Sequence, residues 1–157
     1  MKKNRIYVDT SVIGGCCDPE FEIWSRGILL DFQGGIFSLL LSSLTDAEIR
    51  DAPDEVKDIY GEFRECPHEF IELNLEAIEL ADAYLSHNIL SENYWADARH
   101  IAMATVVGAD VLVSWNFRHV VNFAKIQRFN AVNLEMGYKP IAIYSPREVT
   151  AHGRKGS

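Results

Sequence analysis

The stretch Ile6-Tyr7-Val8-Asp9-Thr10-Ser11 decides the fold. Three strand-forming residues run straight into an acid and two hydroxyls, so a buried strand ends on a carboxylate. The pattern returns in Val111-Leu112-Val113-Ser114-Trp115-Asn116, where the closing group is the amide instead of the acid. A third apolar run, Ile36 to Leu41, precedes Glu48, and a helix-like segment carries Asp97. Acids at the ends of buried strands, repeated over alternating strands and helices, are how an open α/β sheet gathers ligands for a hard cation at its carboxyl edge. That points to metal-dependent chemistry on phosphate esters.

Between these stretches, strand and helix patterns alternate. Ile6–Asp9 reads as the first strand. A helical face with Phe21, Trp24, Ile28, Leu29 and Phe32 follows and stops at Gln33-Gly34-Gly35. Ile36–Leu41 is the second strand, apolar except for Ser38, as expected for a sheet covered on both faces. Ser43 or Thr45 is expected to cap the helix bearing Glu48, and Pro53 suits the first turn of the next helix, which runs toward Cys66. Phe70–Leu73 is a third strand, and Asn74 an N-cap for a helix burying Ile78, Ala81, Tyr84 and Leu85. A helix with Ala96, Ile101, Ala104 and Val107 ends at Gly108. Asp110–Ser114 is the fourth strand, a helix is expected around Phe117 to Phe129, and Ile141–Tyr144 is the last strand. This order predicts an α/β fold with a mostly parallel sheet and right-handed crossovers. Residues 1–150 are expected to form one domain and 151–157 a disordered tail.

The chain has 157 residues, 48% hydrophobic and 24% charged. No apolar run reaches the roughly 20 residues of a membrane span, and no signal peptide precedes the first strand, so a cytoplasmic protein is expected. Cys16, Cys17 and Cys66 lack a metal-finger spacing and are expected to be free thiols. A net charge of −8 argues against a broad electrostatic nucleic-acid binder. It weighs less against an enzyme that grips a phosphate backbone through a divalent ion, since part of the charge then sits at the site.

Each acid also has an ordinary structural explanation. Asp9 can cap the turn after its strand, Asp97 can sit at a helix start for the dipole, Glu48 can be a solvated acid, and Asn116 a turn residue. Topology favours a joint role. Two positions are placed by strands ending at one edge, and Glu48 and Asp97 lie near helix starts that face it. Asp46 rivals Glu48 on another helix face, and Asp110 rivals Asn116 from the opposite end of the fourth strand.

The runs Tyr7-Val8-Asp9-Thr10-Ser11-Val12, Ser42-Ser43-Leu44-Thr45-Asp46-Ala47-Glu48, Asp97-Ala98-Arg99-His100-Ile101-Ala102-Met103-Ala104 and Val113-Ser114-Trp115-Asn116 resemble, in order and spacing, the successive motifs of PIN-domain proteins. The resemblance spans roughly Arg5 to Val149. It implies a three-layer α/β/α fold and a Mg²⁺- or Mn²⁺-dependent endoribonuclease leaving a 5′-phosphate and a 3′-hydroxyl. Many compact members are the ribonuclease toxins of type II toxin–antitoxin pairs, so an antitoxin partner and an RNA substrate are implied as well. By motif match Asp9, Glu48 and Asp97 take the places of three acidic metal ligands. Asn116 stands where a fourth acid is often found; it retains a carbonyl oxygen but lacks the charge, which weakens a second metal position and leaves a one-metal site open.

Thr10 and Ser114 are candidates to contact metal-bound water or phosphate, and Arg118, with Arg99, His119, Lys125 and Arg128, to contact the RNA backbone. His100 shares a helix face with Asp97 and reads as a hydrogen-bonded packing histidine or a base. Trp115 and Phe117 are stacking candidates or core aromatics. Phe21, Trp24, Ile28 and Phe32 form a core face, a homodimer face or an antitoxin groove. Two other readings stay in play: a catalytically weak module that binds an antitoxin or RNA, and phosphoryl transfer through Asp9. The second lacks the partner acid two residues on, where Ser11 stands. A dinucleotide site is excluded because Thr10-Ser11-Val12-Ile13-Gly14-Gly15 lacks the spaced glycines.

Overall fold

Five parallel strands in the order β3-β2-β1-β4-β5 form the sheet of this computed structural model, which describes residues 2–153. The strands are β1 (Arg5–Val8), β2 (Ser38–Ser42), β3 (His68–Ile71), β4 (Val111–Val113) and β5 (Ala142–Tyr144). The helices are α1 (Thr10–Gly15), α2 (Glu22–Gln33), α3 (Ser43–Ile49), α4 (Asp54–Glu65), α5 (Leu75–Ser86), α6 (Trp95–Val106), α7 (Phe123–Glu135) and α8 (Pro146–Val149). A 3₁₀ turn at Glu92–Tyr94 leads into α6.

The central strands β1, β2 and β4 are buried on both faces, and strand alternation sorts the core into two halves. Tyr7, Leu40, Leu112 and Ile143 pack with α5, α6 and α7. Ile6, Val8, Leu39, Leu41 and Val113 pack with α1, α2 and α4. The result is the three-layer α/β/α architecture expected from the sequence. β1 lies at the centre, and the winding reverses between β1 and β4. The crevice beyond the carboxyl ends of those two strands is therefore the topological switch point, where open α/β sheets bind ligands.

Several local readings shift. The helix bearing Glu48 is capped by Ser42, whose Oγ accepts from Thr45 N at 3.2 Å. Ser43 instead accepts from Leu73 N at 3.0 Å. β3 starts two residues earlier than Phe70. The segment after Asn116 is a loop to residue 122, and α7 begins only after Asn122, whose Oδ1 caps Lys125 N at 3.1 Å. Asn74 does cap α5, accepting from Ala77 N at 2.9 Å. Ile28 and Phe32 of α2 are buried in the core, and Phe21 stacks on Trp115 with ring centroids 4.2 Å apart. All three cysteines are free. Among the described residues no helix is long and apolar enough to cross a membrane.

Residues 151–153, expected in the tail from the sequence, lie against α2 in a tight junction; 154–157 lie outside the described residues. Asp31, fully buried, accepts from Thr150 Oγ1 at 2.6 Å and Ala151 N at 3.2 Å, and pairs with His152 Nδ1 at 2.7 Å. Gly27 makes room, since a Cβ there would lie 2.8 Å from Thr150 Oγ1. Asp31→Asn keeps the volume but weakens these charge-assisted bonds. It is expected to cost about 2 kcal/mol, lowering Tm by roughly 4–8 °C in a thermal unfolding measurement.

Candidate active site

Asp9 follows β1 directly and is 4% exposed. Its Oδ1 accepts from Val12 N at 3.4 Å, capping α1, and from Ser11 Oγ at 2.6 Å. Ser11 ties this corner to the end of β4: its Oγ accepts from Trp115 N at 2.9 Å and lies 3.4 Å from Ser114 Oγ. Gly15, the last residue of α1, sits against the same loop. A Cβ there would come within 2.5 Å of Ser25 Oγ and 2.7 Å of Trp115 Nε1, so only glycine allows this approach. Trp115 is therefore a packing residue, with Nε1 donating to Ser25 Oγ at 2.7 Å, while Phe117 beside it is exposed.

Asp97 lies in the first turn of α6, where the helix dipole favours a carboxylate. Its Oδ2 accepts from Asn116 Nδ2 at 3.2 Å. The Asn116 amide is held the right way round, because its Oδ1 accepts from His119 N at 2.9 Å, a place no NH₂ group can take. Asn116 thus faces Asp97 as a donor. The carbonyl oxygen expected as a weak ligand is spent on the loop backbone. Ser114 Oγ in turn accepts from Asn116 N at 3.0 Å.

Glu48 reaches the crevice from the last turn of α3 rather than from near a helix start. Its Oε1 accepts from Thr10 Oγ1 at 2.7 Å and meets His100 Nε2 at 2.6 Å. His100, the packing-histidine candidate, is buried and also contacts Tyr7 Oη through Nδ1 at 2.7 Å. Asp46 turns away, accepting from the Tyr60 hydroxyl and pairing with Arg64 at 3.8 Å. Asp110 accepts from Arg5 N at 2.7 Å at the amino end of β4. Neither rival joins the cluster. Arg118 is exposed, and its carbonyl accepts from Lys125 Nζ at 3.2 Å, which also lies 3.3 Å from His119 Nδ1.

The electrostatics mark the crevice as short of positive charge. Burial pushes the Asp97 carboxyl up to about 6, reinforced by the charges of Asp9 and Glu48 and opposed by His100 and the Asn116 amide. Burial likewise raises Asp9, against His100 and the Ser11 and Ser114 hydroxyls. For Glu48 burial also works upward, but the bond and charge of His100 and the Thr10 hydroxyl outweigh it and hold the carboxyl below its usual range. Burial, Lys125 and Arg118 lower His119. Among the described residues no three His, Cys, Asp or Glu side chains stand close enough to hold a metal ion together. The donor set suits Mg²⁺ or Mn²⁺ in a different way: hard cations of this kind take one or two carboxylates and complete their shell with water and substrate phosphate. Asp9 and Asp97 are the carboxylates whose charge is least compensated. The partner that the sequence did not reveal is Tyr7, marked by a lone aromatic hydroxyl inside an aliphatic strand; for Ser11, expected to aid the Asp9 cap, the tie to the end of β4 is new.

No family model matches the chain, and no curated protein does. Solved structures do. A chain of VapBC2 from Rickettsia felis, in a crystal structure bound to a DNA fragment from its promoter, aligns over 90% of this chain and 98% of its own, with a TM-score of 0.59 and 13% identity. FitAcB from Neisseria gonorrhoeae aligns over 92% and 99%, with a TM-score of 0.57 and 16% identity. The fold is the PIN-like one that the sequence resemblance implied.

The raised Asp97 carries a stability signature. Its folded value lies above the ordinary 3.8, so the native state keeps a proton that the unfolded chain has lost. Stability contributed here falls as pH rises from about 4 to about 6 and stays lower above that window. Metal-free Asp97→Asn is expected to unfold later than the parent above pH 6, by about 1 kcal/mol after solvent screening. Below pH 4 the two converge. Thermal melts across pH check this.

Proposed function

We propose that this chain is a divalent-metal-dependent endoribonuclease and the toxin of a type II toxin–antitoxin pair, with RNA as substrate and a cognate antitoxin as protein partner. The observation that carries the reading is the mutually repelling pair of buried Asp9 and half-buried Asp97 at the switch-point crevice. Such a pair is stable in its ionised form only when a cation arrives. The motif order and the likeness to a chain of VapBC2 and to FitAcB support the choice of substrate and partner.

Asp9 and Asp97 would hold Mg²⁺ or Mn²⁺, with Glu48 beside them. A bound divalent ion supplies charge stabilisation on the phosphoryl oxygens and a more acidic water. The chain's own residues do the rest. Ser11 and the α1 backbone fix the Asp9 carboxylate, and the Asn116 amide holds one oxygen of Asp97. Thr10 holds Glu48. Arg118 and Lys125, on the segment that follows Asn116, suit the phosphates of the bound strand. Water oxygen bonds to phosphorus, the bond to the 3′ oxygen breaks, and that oxygen takes a proton, leaving a 5′-phosphate and a 3′-hydroxyl.

Purified protein is expected to cleave RNA with Mn²⁺ or Mg²⁺ and to stop in chelator. Asp9→Asn and Asp97→Asn each reduce the rate by more than about 100-fold while remaining folded by circular dichroism. Asn116→Asp adds a third carboxylate and is expected to tighten Mn²⁺ binding while lowering the metal-free Tm. Cleavage undiminished by chelator or by Asp9→Asn overturns the assignment, and folded protein that binds an antitoxin but no metal establishes the binding-module reading instead.

A further inference from the structure

We propose that His100 is a positioning residue of this site: anchored from behind by Tyr7, it grips Glu48 by one oxygen and so fixes where the other one is presented. The inference deepens the reading above and rests on it for what Glu48 serves.

Both nitrogens of His100 are committed. Nδ1 lies 2.7 Å from Tyr7 Oη and Nε2 2.6 Å from Glu48 Oε1, and the side chain is 4% exposed. Neither nitrogen is left to take a proton from water or substrate, so the geometry does not suit a general base. Tyr7 is a rigid anchor. It is fully buried in the central strand, its hydroxyl donates to Ser42 Oγ at 2.8 Å, and its ring meets the imidazole edge-on at 5.8 Å. The chain Ser42–Tyr7–His100–Glu48 therefore fastens β1, the cap of α3 and α6 to one carboxylate.

The second observation concerns the carboxylate itself. Both of its donors, Thr10 Oγ1 at 2.7 Å and His100 Nε2 at 2.6 Å, fall on Oε1. Among the described residues Oε2 receives no hydrogen bond. A packing histidine has no need to share an acceptor in this way. Two donors from different elements, α1 and α6, converging on one oxygen stop the carboxylate from turning and leave its second oxygen as the one on offer. Glu48 couples electrostatically to Asp97, so that oxygen belongs to the same charge field.

The test compares His100→Leu, which keeps bulk without a donor, with His100→Gln, which restores an amide N–H near the position of Nε2. Mn²⁺ affinity is read by electron paramagnetic resonance titration, and RNA cleavage as kcat and KM separately. His100→Leu is expected to lose about 10–100-fold in Mn²⁺ affinity and kcat with KM little changed, and His100→Gln to recover most of it. In a Glu48→Gln background, His100→Leu should cost nothing further. Equal loss in the Leu and Gln variants, or losses that multiply with Glu48→Gln, overturns the proposal. If His100→Leu fails to fold, Tyr7→Phe removes only the anchoring hydroxyl and should lower the same readouts by several-fold; no change there overturns it. If the parent neither binds Mn²⁺ nor cleaves RNA, the functional reading fails. Positioning is then decided by a crystal structure of His100→Gln or Tyr7→Phe beside one of Glu48 in the parent. A Glu48 side chain that turns only when the donor chain is broken supports it, and one that never moves overturns it.

Discussion

Like charges gathered in a low-dielectric crevice repel, and the arrangement of this protein around its sheet edge answers that repulsion. Asp9 and Asp97 are brought together because β1 and β4 are neighbours and α6 begins beside them. Each acid is met by at least one donor, in two of the three cases from a different element. The backbone and Ser11 of α1 serve Asp9, Asn116 serves Asp97, and Thr10 and His100 serve Glu48. Among the described residues no buried side-chain nitrogen or oxygen is left without a partner. The compensation is nonetheless partial, as the elevated Asp97 testifies. The Asn116 amide donates a bond but carries no net charge, so part of the repulsion between the acids remains.

Much of this was legible in the amino-acid order. Apolar runs at β1, β2 and β4 announce a sheet covered on both faces, and Asn74 and Gly108 mark helix ends through side-chain capping and a positive φ of 72°. What was not legible depends on contacts distant in sequence. α1 has β-branched residues and two glycines and little intrinsic tendency to coil. It forms because Asp9 caps it and because Gly15 fits under Trp115 and Ser25. Ser42 outcompetes Ser43 as a cap since it alone stands at the turn from β2, with Tyr7 beside it. The early start expected for α7 fails because Asn116 uses both its carbonyls on the following loop, taking Val120 N, Val121 N and His119 N.

The same limit applies to the acids. Sequence spacing suggests which ones share an edge, yet it is silent on which oxygen or nitrogen of each is already occupied. Asp46 and Glu48 are two positions apart, and only the packing of α4, with Tyr60 and Arg64, draws the first away. The orientation of Asn116 is set by one backbone N–H three residues on. Such single bonds decide whether a group is a ligand or a support.

The central place of β1 has a consequence for how the molecule comes into being on the ribosome. Its partner β2 follows within some thirty residues, but β4 flanks its other side only after more than a hundred have been synthesised. Asp97 and Asn116 likewise emerge late. A nascent chain can collapse around β1 and β2 and still own only part of the crevice, so this edge is complete only once the stretch through β4 and Asn116 has left the ribosome.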